Sequence, residues 1–169
     1  MQDTRRGFLA GASLAGVGLA MPSVGFSRSV ERSGAVPMIN TLGGLTDPNV
    51  AAASSPTWRP ARPTWRMIDD ARASGVSAIN MTLGYVFGDA DPYEESLSQV
   101  AEWDGIIAEH PELLKVLSAA DIERARKEGR IGLIYGFQNA AMMGQDVSRA
   151  DAFAARGVRV VQLTYNVQN

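Results

Sequence analysis

The chain has 169 residues, a formal net charge of −2 at pH 7 and a pI near 5.4, which gives no basis for a nucleic-acid or anionic-membrane partner. It contains no cysteine, which excludes disulfides and thiolate metal sites. Its single histidine, His110, confines any imidazole chemistry to one residue.

The first thirty residues read as a targeting signal. Thr4-Arg5-Arg6-Gly7-Phe8-Leu9 is a twin-arginine pattern, and an apolar Ala/Gly/Leu stretch runs from Phe8 to about Met21, where Pro22 and Ser23 end it. That stretch falls short of the roughly 20 strongly apolar residues that a membrane span needs. Gly18-Leu19-Ala20 offers a small-x-small cleavage site. The segment 1–30 is therefore expected to be a twin-arginine signal peptide that sends the protein to the periplasm or medium, the alternative being an uncleaved anchor. The folded part is expected to begin near residue 36.

Val36 to Leu42 is a short apolar run closed by Gly43-Gly44, a first strand. Asp47 to Pro63 carries four prolines and reads as an extended surface loop. Thr64 to Ser74 is helical, with Trp65, Ile68 and Ala71 on one face and Gly75 as the stop. Val76–Leu83 is a second strand, followed by a loop holding Asp89 and Asp91. Tyr93 to Glu109 is a long amphipathic helix with Leu97, Val100, Ala101, Ile106 and Ile107 as its buried stripe, and Pro111 breaks it. Ser118, with Asp121 three residues on, starts another helix that Gly129 ends. Strands near 131–137 and 158–164 flank a final helix from Ser148 to Gly157. Only Val167, Gln168 and Asn169 follow the last strand's polar end. Such an apolar parallel edge predicts a domain cut short, with an open edge through which copies oligomerise or aggregate.

Four strands alternating with helices give the α/β class. Two architectures compete: an incomplete (β/α)8 TIM barrel, about its first half, and an open doubly wound sheet. The absence of a GxGxxG loop after the first strand favours the barrel. One unit is expected over 36–169.

Several segments carry a family resemblance. Gln138-Asn-Ala-Ala ends one strand, Gly157-Val-Arg-Val-Val-Gln-Leu-Thr-Tyr165-Asn166 forms the last, and Ala120-Asp-Ile-Glu-Arg-Ala-Arg-Lys-Glu-Gly is the helix between earlier strands. In this wording and order, the stretch from Val36 to Asn169 resembles the front part of the membrane (renal) dipeptidase family, zinc-dependent (β/α)8 barrels related to amidohydrolases. The resemblance implies hydrolysis of dipeptides or related amides by metal-activated water, a small peptide or amide substrate, and zinc as cofactor. It also places departures on the chemistry. Leu42 and Gly44 stand where the family has a histidine and an aspartate that bind one zinc, Gln138 where it has the glutamate bridging two zincs, and Tyr165 where it has a substrate-binding histidine. A pair of dications about 3.5–4 Å apart needs a bridging carboxylate and imidazoles to offset repulsion, whereas a glutamine offers one neutral carbonyl oxygen.

Gln138, Asn139, Tyr165 and Asn166 sit at the C-terminal ends of strands, where barrels concentrate function. Tyr165, Asn166 and Asn139 are the candidate substrate-binding residues, and Gln138 is the candidate metal position. The competing reading is that they satisfy backbone groups as strands become loops. No residue is assigned a catalytic role. Asn40 belongs to the same ring. Asp91 reads as a helix cap, His110 as a helix-end residue, and Trp58, Trp65, Trp103, Met142 and Met143 as packing. Three functions remain open: an exported metallo-dipeptidase, a non-catalytic barrel with a neutral polar pocket, and a truncated product without independent function.

Overall fold

The computed structural model describes residues 36–47 and 59–165. The twin-arginine segment, Trp58 and Asn166 lie outside the described residues. In chain order the elements are β1 (Ile39–Gly43), α1 (Trp65–Ala73), β2 (Ala78–Leu83), α2 (Pro92–Glu109), β3 (Leu113–Lys115), α3 (Ala119–Glu128), β4 (Ile131–Phe137), α4 (Ser148–Ala155) and β5 (Val158–Val161), with a 3-10 turn at Ala141–Met143 before α4. Five strands form instead of four. The extra one, β3, follows Pro111 and is too short to show an alternating pattern.

All pairings are parallel. The backbone of the sheet is the β2–β4 ladder, six residues in unbroken register from Ala78↔Gly132 to Leu83↔Phe137. β1 lies along the far edge of β2. On the other edge of β4, β3 pairs with Ile131–Leu133 and β5 with Tyr135–Phe137, so the two short strands share one edge end to end. Four main strands thus follow one another in chain order with crossover helices, as in one part of a barrel.

Side chains alternate across a strand, and here the two faces differ in chemistry. Ile79, Met81 and Leu83 of β2 join Leu133, Tyr135 and Phe137 of β4 on the face that packs against Ile68, Val100, Trp103, Ile106 and Phe153 from the helices. Edge-on ring contacts of Phe153 with Phe137 (4.9 Å) and Tyr93 (5.5 Å) fill this layer. The Tyr135 hydroxyl donates to Asp104 (2.9 Å), which also takes Lys115 Nζ at 2.6 Å, so a phenol buried in the layer keeps its partner. Burial, with the Asp104 carboxylate beside it, pushes that phenol well above its ordinary range. On the opposite face stand Asn80, Thr82, Ile134, Gly136 and Gln138. Its lower end is closed by Ile134 packing on Leu114, Val116 and Ala125.

Helix ends follow the sequence signals. Asp91 Oδ1 accepts from Tyr93 N (3.0 Å) and Glu94 N (2.9 Å), capping α2. Asp121 Oδ2 accepts from Ser118 N at 2.9 Å, and Gly129 closes α3 at φ 67°. Two expectations need correction. Trp65, expected on the buried face of α1, is 55% exposed and meets the His110 ring edge-on at 4.4 Å. Ala101 is exposed, while Ser96, Gln99 and Trp103 are buried, so α2 is rotated relative to its apolar stripe. The rotation is tolerated because Ser96 Oγ donates to Pro92 O (2.7 Å) and accepts from Tyr85 N (2.9 Å), while Gln99 Nε2 donates to Glu95 (2.8 Å).

The segment leading into α1 is fastened to α2 by charge. Arg59 reaches Glu95 at 2.8 Å and Glu102 at 3.3 Å, and Arg62 reaches Glu109 at 2.6 Å. Burial alone raises the Glu95 carboxyl, but hydrogen bonds from Arg59 and Gln99 together with the Arg59 charge outweigh it and hold the group below its ordinary range. A depressed folded-state pKa contributes stability above the ordinary value of 4.5 that is lost as pH falls through the depressed one. Thermal melts from pH 6 to pH 3 are expected to show a shallower acid loss for Glu95→Gln than for the parent protein; parallel curves contradict this account.

Gly136 is required by packing. A Cβ there collides with the Asn80 carboxamide, which is held by Asn80 Nδ2 donating to Thr41 O at 2.8 Å. Gly136→Ala is expected to cost about 1–3 kcal/mol through overpacking. Most of that cost is expected to disappear in an Asn80→Ala background, measured as a double-mutant cycle in urea.

Candidate functional site

The parallel strands deliver their C-terminal ends to one side of the sheet. There an open cavity of about 210 Å³ lies on the polar face, across β1, β2, β4 and β5. Its polar walls are Thr41, Asn80, Thr82, Gln138 and Gln162; Leu42 and Val160 add apolar surface, Met81 and Phe137 border it from the strands, and Gly136 forms the floor. No lining residue carries a charge. Small-molecule pockets commonly measure about 300–1,000 Å³, so this volume suits one small group rather than a large ligand.

The polar groups are tied to the protein through their nitrogens. Gln138 Nε2 donates to Thr82 Oγ1 at 3.2 Å, Gln162 Nε2 to Thr164 O at 2.6 Å, and Asn80 Nδ2 to Thr41 O. Asn80 Oδ1 is buried against Gly136 without a donor among the described residues. The wall therefore presents carboxamide oxygens, the remaining N–H groups of those carboxamides and threonine side chains: a neutral polar surface.

The four candidate residues do not all meet here. Gln138 lines the cavity. Asn139 does not. It is 1% exposed, donating through Nδ2 to Tyr85 O (3.0 Å) and Val86 O (3.4 Å) and accepting from Ala141 N (3.0 Å), so its amide ties the loop after β2 to the turn after β4. Tyr165 is 48% exposed beyond β5 and is not part of the cavity wall, and Asn166 lies outside the described residues. Asn40 accepts from Leu42 N at 3.1 Å and lines a separate depression of about 370 Å³ between β1 and α1. Asn80, Thr82 and Gln162 were not expected at the site. Their signal is strand alternation: polar residues two apart, at 80 and 82, mark a face that is not packed under helices.

His110 is buried at the end of α2, beside the start of β3 and β4, so it stands at the opposite end of the strands from the cavity. Leu42, which the resemblance sets against a zinc-binding histidine, is 60% exposed and lines the cavity with carbon. Among the described residues no three His, Cys, Asp or Glu side chains converge on one point. Zinc is held by thiolate, imidazole and carboxylate groups, usually three or four of them. The donor set of this face, neutral carboxamides and threonines, does not fit that metal. No helix among the described residues is long and apolar enough to cross a membrane.

Comparison with solved structures identifies the architecture. The chain is similar to an amidohydrolase from Pseudomonas aeruginosa (TM-score 0.61, 24% identity, 79% of this chain and 35% of that one). It is also similar to the probable dipeptidase PvdM from Pseudomonas aeruginosa (0.58, 20%, 82% and 37%). A third similar structure is the dipeptidase AC, a metallopeptidase (0.52, 11%, 75% and 42%). At these identities the likeness establishes the fold: a parallel α/β sheet matching part of a TIM-type barrel. The chain spans between a third and about two fifths of the length of these structures. No curated protein matches it. Residues 67–169, well over half of the chain, match the membrane dipeptidase family, Peptidase family M19; Leu42 lies outside the matched residues. The parallel sheet with its strand-end cavity therefore has a sequence counterpart, and the chain belongs to the membrane dipeptidase family.

Proposed function

We propose that this protein is an exported member of the dipeptidase family that handles small peptides or related amides. In this reading the cavity of Thr82, Gln138 and Gln162 is part of the substrate site. The observation that carries it is the coincidence of the family match with a cavity at the C-terminal strand ends, the position from which barrels act. The twin-arginine pattern at Thr4–Leu9 supports export.

The similar structures are more than twice as long as the matched part, so peptide hydrolysis is proposed for a complete barrel. The part assigned to the described strands is to bind and orient an amide. No hydrolytic step is assigned to them, because a bridging carboxylate is replaced by Gln138 and no metal-binding cluster stands beside it. By the same argument zinc is proposed for other members of the family and not for this sheet.

Two measurements test the proposal. Purified protein is expected to bind the neutral peptide N-acetylalanyl-alaninamide by calorimetry while releasing no alaninamide; cleavage by this chain that a chelator abolishes contradicts the assignment of roles. A reporter fused behind residues 1–35 is expected to reach the periplasm of a twin-arginine-competent host. Arg5→Lys with Arg6→Lys is expected to retain it in the cytoplasm, and undiminished export of that double variant contradicts the signal.

A further inference from the structure

We infer that the strand-end cavity is a metal-free recognition site for a neutral amide, read through hydrogen bonds to the ligand's N–H and C=O groups. This rests on the proposed function in one respect, that the cavity belongs to the substrate site.

The chemistry of the wall sets the ligand class. A dication leaving water requires anionic or imidazole donors to replace its hydration, and the cavity has none. A zwitterionic ligand seated deep in it leaves its ammonium and its carboxylate without counter-charges. Charged ends are thereby disfavoured inside the cavity. An amide N–H needs only an acceptor. Gln138 Nε2 donates to Thr82 Oγ1 and Gln162 Nε2 to Thr164 O, which leaves each carbonyl oxygen to accept and one N–H of each carboxamide to donate. Gln138 and Thr82 come from adjacent strands, β4's end and β2, whose register is unbroken. Gln138 is the first residue after β4, so the end of the ladder and the bond to Thr82 position its side chain. A glutamate in its place adds a charge with no cation nearby to balance it. The glutamine is therefore matched to its surroundings.

Leu42 and Val160 complete the match. They place carbon on either side of the polar strip, at 60% and 41% exposure. A ligand with an amide centre and short apolar flanks covers both kinds of surface, and at about 210 Å³ the cavity accommodates a group of that size.

The test uses the whole chain, titrated separately with N-acetylglycinamide, glycylglycine and zinc chloride, and followed by the side-chain NH2 resonances of Asn and Gln in nitrogen-15 spectra. Metal content after dialysis is measured in parallel. N-acetylglycinamide is expected to shift the Gln138 and Gln162 side-chain signals in metal-free protein. Gln138→Ala is expected to weaken it roughly threefold to tenfold, the usual worth of a neutral hydrogen bond. Thr82→Val, which removes the partner that orients Gln138, is expected to weaken it similarly, and melting curves establish that both variants fold. Zinc is expected to be retained well below one ion per chain. Stoichiometric zinc, or peptide binding that appears only with zinc, overturns the metal-free site and leaves the family's substrate class standing. Binding of N-acetylglycinamide unaffected by both variants overturns the assignment to this cavity. Absence of binding by either peptide probe, with and without zinc, overturns the proposed function as well.

Discussion

The parallel ladder between β2 and β4 determines what the rest of the molecule can do. Six consecutive residue pairs without a bulge lock the two faces of the sheet against each other. A slip of one residue exchanges them. With the observed register, Ile79, Met81, Leu83, Leu133, Tyr135 and Phe137 all point under the helices and form most of the large core. The alternate residues, Asn80, Thr82, Gly136 and Gln138, are thereby sent to the opposite face as a group. The cavity exists because those positions carry small or polar side chains; its polarity is the counterpart of the apolar layer behind it.

From this constraint follows the contrast with metallopeptidase chemistry. Gln138 stands at the C-terminal end of β4, and its neighbours in the cavity are a hydroxyl, a glycine and another carboxamide. Charge at a metal site works collectively, since each anionic ligand is tolerable only because the cation and its other ligands are present. Among the described residues the cavity lining is neutral throughout. Among the described residues, charge is paired away from the cavity, in clamps such as Arg59 with Glu95 and Lys115 with Asp104 on the helical side.

The fold was legible in the sequence wherever a residue type has one strong local meaning. Gly129 ended a helix, Asp91 and Ser118 with Asp121 began two others, and the apolar runs at 131–137 and 78–83 fell where strands were expected. Legibility failed where tertiary pairing made the decision. β3 is three residues long and exists because β4 offers an edge to Leu113–Lys115. The face of α2 was misjudged because Ser96 and Gln99 look solvent-facing by type and become buried through bonds to Pro92 and Glu95. The site was only half legible for the same reason. Strand ends could be located, but whether a carboxamide turns into the cavity, as Gln138 does, or into a loop anchor, as Asn139 does, depends on partners contributed by residues about fifty positions away.

Zinc-edge anomalous diffraction from crystals equilibrated with a zinc salt addresses this account most directly. The neutral face predicts no anomalous peak in the cavity bounded by Thr82, Gln138 and Gln162. A strong peak at a coordination distance of about 2.0–2.2 Å from Gln138 Oε1 contradicts it.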